Sequence, residues 1–97
     1  MKITTKSGFK FDFDDRIIND WRVIKAMGRA DNTSDPEEML AGSVELVGLI
    51  FGKDEGKLIE HIRQKNDGYA PTEAIKDDLL SVFNKVKALK NSQSSQA

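Results

Sequence analysis

Residues 34–52, Ser-Asp-Pro-Glu-Glu-Met-Leu-Ala-Gly-Ser-Val-Glu-Leu-Val-Gly-Leu-Ile-Phe-Gly, decide the fold of this chain. Asp35 or Ser34 can cap a helix whose first turn contains Pro36, and Gly52 ends that helix. Its apolar residues include one stripe at helical spacing, which consists of Leu40, Val44, Val47 and Phe51. Three more apolar residues extend the apolar surface beyond that face: Met39, Leu46 and Ile50. A helix that is apolar around most of its girth lies centrally in a core or offers a surface to a partner. We therefore expect the other elements to pack around it.

The residues before this helix begin with an alternating pattern. Phe9, Phe11 and Phe13 are separated by polar residues, and Ser7-Gly8 interrupts the alternation. Period-two alternation around such a break predicts a β-hairpin over residues 1–13. Because an isolated hairpin is barely stable in water, we expect its Phe face to lie on helices.

The period changes to that of a helix after the hairpin. Asp14 and Asp15 suit the positive end of a helix dipole, and apolar residues follow at helical spacing: Ile17, Ile18, Trp21, Ile24 and Met27. Gly28 and the polar run after it break the pattern. The sequence therefore predicts a first helix over 15–29.

Two more helices are predicted after Gly52. The first begins within 53–56, and its apolar residues Leu58, Ile59 and Ile62 are expected to face the core. It ends at Asn66-Asp67-Gly68, where glycine suits the left-handed conformation. The second begins within 69–73 and carries one apolar stripe: Ile75, Leu79, Leu80, Phe83, Val86 and Leu89.

The predicted fold class is mainly α. A single helical domain covers residues 1–90, with the short hairpin over 1–13 followed by about four helices over 14–90 in a small compact bundle. The Ser/Gln-rich segment 91–97 is predicted to be a disordered tail.

Composition excludes several classes of protein. A length of 97 residues suits one domain, and 15 basic against 16 acidic residues argue against a dedicated nucleic-acid binder. The absence of cysteine excludes disulfide scaffolds, thiolate zinc sites and thiol catalysis. No apolar run approaches the roughly 20 residues that cross a bilayer, and no secretory signal is visible, so we expect a cytoplasmic protein without membrane contact.

The residue types that catalysis needs are scarce. His61 is the only histidine and is expected to be a partly exposed helical residue. The acidic cluster Asp12, Asp14, Asp15 and Asp20 lacks the pattern of a calcium loop, so capping and surface charge explain it better. Gly48-Leu-Ile-Phe-Gly-Lys-Asp is one residue too short for a phosphate loop. We predict no catalytic, cofactor-binding or metal-binding residue, and no enzymatic activity.

A helix-turn-helix is the first alternative, because the segment 52–56 between two helices is short enough for that motif. The would-be recognition helix mixes Glu60 with Lys57 and Arg63, and residues 51–97 carry eight basic and seven acidic side chains. Nucleic-acid binding is therefore not favoured, although a small phage DNA-binding regulator stays open as an alternative.

The apolar surplus of the central helix has two explanations. All of it is core, or part of it joins Trp21 in a groove for another helix, since helix-in-groove surfaces use methionine and aromatic anchors. Tyr69, on a loop beside Gly68, is either a contact at the edge of that groove or a cap on the core. The predicted partner-binding residues are Trp21, Met39, Leu46, Leu49, Ile50 and Tyr69.

The order of these features resembles a known family. The hairpin leads into Asp14-Asp15-Arg16-Ile17-Ile18-Asn19-Asp20-Trp21, and an apolar helix then ends in Ile50-Phe51-Gly52. The charged helix with Lys57-Leu58-Ile59-Glu60-His61-Ile62-Arg63, the loop 67–73 and a last helix follow. Over residues 1 to about 90 this layout resembles the small tail assembly chaperones of long-tailed bacteriophages and prophages, especially those of Gram-positive hosts.

The resemblance implies a non-enzymatic function. Proteins of that family act in the cytoplasm of the infected bacterium and are absent from the mature virion. They bind the long, largely helical tape measure protein and keep it soluble until tail tube subunits polymerise around it. Many oligomerise, and many have a longer form made by ribosomal frameshifting. The second alternative is a structural adaptor of the tail or of the head–tail junction.

Overall fold

The chain begins with a hairpin and continues as helices. The computed structural model describes the backbone of residues 1–94 and the side chains of residues 1–88. Its strands are β1 (Lys2–Thr4) and β2 (Lys10–Asp12), and its helices are α1 (Trp21–Ala30), α2 (Pro36–Phe51), α3 (Glu55–Lys65) and α4 (Thr72–Ser94). Short 3-10 helices lie at Asp15–Asn19 and Gly52–Asp54. The predicted mainly helical fold with an N-terminal hairpin is confirmed.

The hairpin contributes its aromatic face to the core. β1 and β2 are antiparallel, with Ile3 opposite Phe11. Phe9, Phe11 and Phe13 are all buried, and the ring of Phe11 lies 4.9 Å from that of Phe51 at the end of α2. The expectation that the Phe face packs on helices is therefore confirmed.

The single first helix predicted over 15–29 is wrong, because the chain is interrupted at Asp20. Asp20 has an extended backbone (φ −68°, ψ 132°), which separates the 3-10 helix at Asp15–Asn19 from α1. Its carboxylate accepts a hydrogen bond of 2.9 Å from the backbone N–H of Arg22 and so caps α1. A side chain that can cap a new helix competes with helix continuation at the same position.

α1 packs on α2 through small residues. Its buried residues are Val23 and Ala26, whereas Ile24 is 46% exposed. A Cβ atom on Gly42 of α2 would lie 2.4 Å from the backbone nitrogen of Ala30 and 2.8 Å from the carbonyl oxygen of Ala26. The two backbones therefore approach so closely that only glycine fits between them.

α2 is the central helix, as predicted, but its predicted stripe divides. Val47 and Phe51 are buried together with Leu46 and Ile50, whereas Leu40 and Val44 are 52% and 62% exposed. The C-terminal half of α2 thus lies in the core, and its N-terminal half presents apolar side chains to the surface.

α3 and α4 follow the predicted boundaries closely. Gly52 ends α2 with φ +51°, and Gly68 follows α3 with φ +90° while its N–H donates to the Arg63 carbonyl. Both are conformations that favour glycine. α4 continues to Ser94, so residues 91–94 are helical within the segment predicted as a disordered tail. Residues 95–97 of that segment lie outside the described residues.

A buried carboxylate attaches the hairpin to α4. Asp78, 1% exposed, accepts hydrogen bonds from the Thr5 hydroxyl (2.7 Å), the Ser7 hydroxyl (2.5 Å) and the Ser7 backbone N–H (2.9 Å). From α3, a ring nitrogen of His61 lies 3.1 Å from the Ser7 carbonyl oxygen. The turn between β1 and β2 is therefore held against two helices by polar contacts.

Candidate protein-binding groove

A concave surface of the described structure lies between α1, α2 and α4. This main groove has a volume of about 550 Å³ and is mostly apolar. It is lined by Ile18, Met27, Ala30, Asp31, Met39, Ser43, Leu46, Lys76, Leu79, Leu80, Phe83, Val86 and Lys87. Leu80 is 57% exposed within it, so a large aliphatic side chain stands in solvent at this site.

A second concavity continues on the other side of the contact between α2 and α4. This side groove, of about 240 Å³, is lined by residues from α2, α3, α4 and the loop before α4: Leu40, Ser43, Val44, Val47, Glu55, Ile59, Ala70, Thr72, Ile75 and Lys76. Ser43 and Lys76 line both grooves, so the two grooves adjoin at these polar residues.

Helix α4 contributes a wall to the main groove because it has apolar residues on two adjacent faces. Leu79, Val82 and Val86 are buried, and the neighbouring Leu80 and Phe83 lie one position further around the helix. The sequence analysis placed Leu80 in the same stripe as the core residues, which is wrong. Adjacent apolar pairs at 79–80 and 82–83 were the signal that α4 has a second apolar face.

The polar groups of the main groove are few. The Ser43 hydroxyl donates a 2.9 Å hydrogen bond to the Met39 carbonyl within α2, so it is already paired. The charged lining residues are Asp31 at the end of α1 and Lys76 and Lys87 on α4. Such a surface can bind an amphipathic segment through apolar contact, with charge acting at its edges.

Ion pairs connect α1 to α2 outside the groove lining. Arg29 Nε donates to Glu38 Oε1 at 2.6 Å, and Arg29 Nη1 donates to Glu45 Oε2 at 2.7 Å. These carboxylates, Glu38 foremost, raise the pKa of the Arg29 guanidinium above its ordinary value. In the described part of the chain, neither Lys76 nor Lys87 takes part in a salt bridge.

The structure distributes the predicted partner-binding residues over several places. Met39 and Leu46 line the main groove, although Leu46 is only 4% exposed and forms part of its floor. Ile50 is a core residue, and Leu49 packs partly buried against the core. The other two are exposed and are not among the lining residues of either groove: Trp21, 70% exposed, and Tyr69, 64% exposed.

Two of the three basic residues of α3, Arg63 and Lys65, make contacts within the protein. Arg63 donates to Glu60 at 3.0 Å and to the Gly68 carbonyl at 2.8 Å, and the Lys65 ammonium donates to the Ser7 carbonyl. Phosphate binding would have to compete with these internal contacts. This arrangement does not favour α3 as a recognition helix.

Two of the acidic residues near the hairpin act as caps, Asp14 for the 3-10 helix at Asp15–Asn19 and Asp20 for α1. Hydrogen bonds from Arg16 lower the pKa of Asp14 to about 2, and those from Arg22 lower the pKa of Asp20 to about 2. Among the residues that the structure describes, no group of three or more potential metal-ligating His, Asp or Glu side chains comes together.

Comparison with known proteins gives no assignment. No model of a protein family, no curated protein and no solved structure matches the chain significantly. Within the described residues, no helix has the length and apolar content that a membrane span requires.

Proposed function

We propose that this chain is a non-enzymatic tail assembly chaperone that binds the tape measure protein of a long-tailed phage or prophage in the host bacterial cytoplasm. The observation that carries the proposal is the main groove, an open apolar surface that runs along α4 from Lys76 to Lys87. That span corresponds to about 16 Å, or three turns of a helix. A client that consists largely of amphipathic helix would present stripes of matching length.

Exposure of apolar side chains is costly for a protein without a partner. Leu80 is 57% exposed, and Met27, on the opposite wall, is 37% exposed. Covering both with a client helix removes apolar surface from water on the two molecules at once, which favours association.

The test is co-expression of the tagged chain with the candidate tape measure protein, which is expected to be encoded by the next long reading frame. Wild-type chain should keep the client soluble and co-purify with it. Leu80→Asp should weaken this binding by at least about tenfold, because it removes a contact worth about 1–1.5 kcal/mol and places a charge in the groove. Ile24→Asp is the matched control, since Ile24 is also an exposed helical residue but does not line the groove.

Two results would reject the proposal. If the client stays insoluble although the wild-type chain is abundant and folded, the proposed chaperone function is ruled out. If the client co-purifies with Leu80→Asp as well as with the wild-type chain, the main groove is ruled out as the binding site. Salt-dependent binding to DNA would instead favour the regulator, and presence of the chain in purified virions would favour a structural adaptor.

A further inference from the structure

One stripe of α4 has a distinctive arrangement of charge. Lys76, Leu80, Phe83 and Lys87 follow one another at spacings of four, three and four residues, which places them on one side of the helix. All four line the main groove. The two ammonium groups therefore bracket an apolar pair, and the lysines are separated by eleven residues, about 16 Å along the helix axis.

The opposite wall has the opposite charge. Asp31, at the end of α1, is the charged lining residue on this wall. Arg29 is paired with Glu38 and Glu45, and all three lie outside the groove lining. A helix lying in the groove would meet two ammonium groups on the α4 flank and the one carboxylate of Asp31 on the other.

We propose that the main groove selects an amphipathic client helix that carries two carboxylates about eleven residues apart, on the flank that faces α4. These carboxylates pair with Lys76 and Lys87, while the apolar face of the client covers Leu80 and Phe83. The proposal rests on the function proposed above, because it specifies the chemistry of the client segment. It predicts which segments of a long helical client this chain covers: those in which Asp or Glu residues bracket an apolar stripe.

The experiment uses two synthetic, fluorescein-labelled helical peptides of about 18 residues, long enough to form a helix on binding. Both carry the same Leu/Ala stripe, and they differ only at two flanking positions eleven residues apart, which are Glu in one peptide and Lys in the other. Fluorescence anisotropy at low ionic strength measures their dissociation constants for the full chain. The Glu peptide should bind about two- to thirty-fold more tightly, as expected for two exposed ion pairs, and the difference should shrink at high salt.

Charge-reversal variants identify the residues involved. Lys76→Glu/Lys87→Glu should invert the preference between the two peptides. The matched control is Lys57→Glu/Lys85→Glu, which makes the same change in net charge at exposed lysines outside the groove lining and should keep the preference for the Glu peptide.

Each other outcome overturns a defined part of the argument. Equal binding of the two peptides, lost in Leu80→Asp, would show a groove without charge selection: this proposal would be wrong and the proposed function would stand. Failure of both peptides to bind, while the wild-type chain solubilises the tape measure protein, would also reject this proposal alone. If Lys76→Glu/Lys87→Glu dissociates an oligomer of the chain and leaves the peptide preference unchanged, the stripe binds a second copy instead of a client.

Discussion

Replacing Gly42 by alanine tests the close approach of α1 and α2 that shapes one wall of the groove. The added Cβ atom would lie 2.4 Å from the backbone nitrogen of Ala30, about 1 Å short of an ordinary contact. It would also lie 2.8 Å from the Ala26 carbonyl oxygen and from the Arg29 carbonyl carbon. All three are backbone atoms, which cannot rotate aside, so α1 as a whole must move away from α2.

The expected change in the free energy of unfolding of Gly42→Ala follows from two opposing effects. Overpacking of a close contact costs typically about 1–3 kcal/mol, and three simultaneous contacts with backbone place Gly42→Ala at the upper end. Replacing glycine by alanine within a helix recovers about 1 kcal/mol. The net loss in the free energy of unfolding is therefore about 2 kcal/mol. In a domain of this size that loss lowers the Tm by roughly 8–16 °C.

Gly48→Ala is the internal control, because Gly48 lies in the same helix and its added Cβ would approach nothing closer than Glu55 Oε1 at 3.7 Å. That variant gains the higher helix propensity of alanine without a steric clash, so its free energy of unfolding should rise by about 1 kcal/mol. Urea unfolding followed by circular dichroism measures both changes, with the slope on denaturant checking that the transition stays two-state. If Gly42→Ala is as stable as Gly48→Ala, the close approach of the α1 backbone to Gly42 is contradicted.

Two further predictions concern the polar contacts. Asp78→Ala should destabilise the fold by about 3 kcal/mol in urea unfolding, because it leaves the buried Thr5 hydroxyl and the Ser7 N–H without their acceptor. Its neighbour Asp77→Ala, which loses only an exposed ion pair with Lys6, should cost less than about 1 kcal/mol, and equal effects would contradict the anchoring role. In an NMR titration, the Asp20 carboxyl should show a midpoint near 2. Since this folded-state pKa lies below the ordinary 3.8, the contribution of Asp20 to stability is complete above pH 3.8 and is lost as the pH falls towards 2; a midpoint near 3.8 would refute the cap.

The candidate site was only partly accessible to sequence reasoning. Met39 and Leu46, which were predicted as partner-binding residues from the wide apolar surface of α2, line the main groove. The contribution of α4 was missed because Leu80 shares helical spacing with core residues, and periodicity gives the relative angle of two side chains without saying which angle faces inward. Trp21 and Tyr69 are exposed but lie apart from the groove lining, since exposure alone does not place residues together.

The sequence by itself determined the class of the elements and several of their ends. Alternation in the hairpin, the Asp35-Pro36 start of α2 and the glycines at 52 and 68 are local signals, because capping, proline and positive φ act within a few residues of the chain. Tertiary structure alone decided which helical faces are buried. Contact between α1 and Gly42 turned Val23 and Ala26 inward and left Ile24 outside, and Asp78 gained its role only from Thr5 and Ser7, more than 70 residues away in the chain. Such pairings depend on the relative positions of whole elements, which no local pattern specifies.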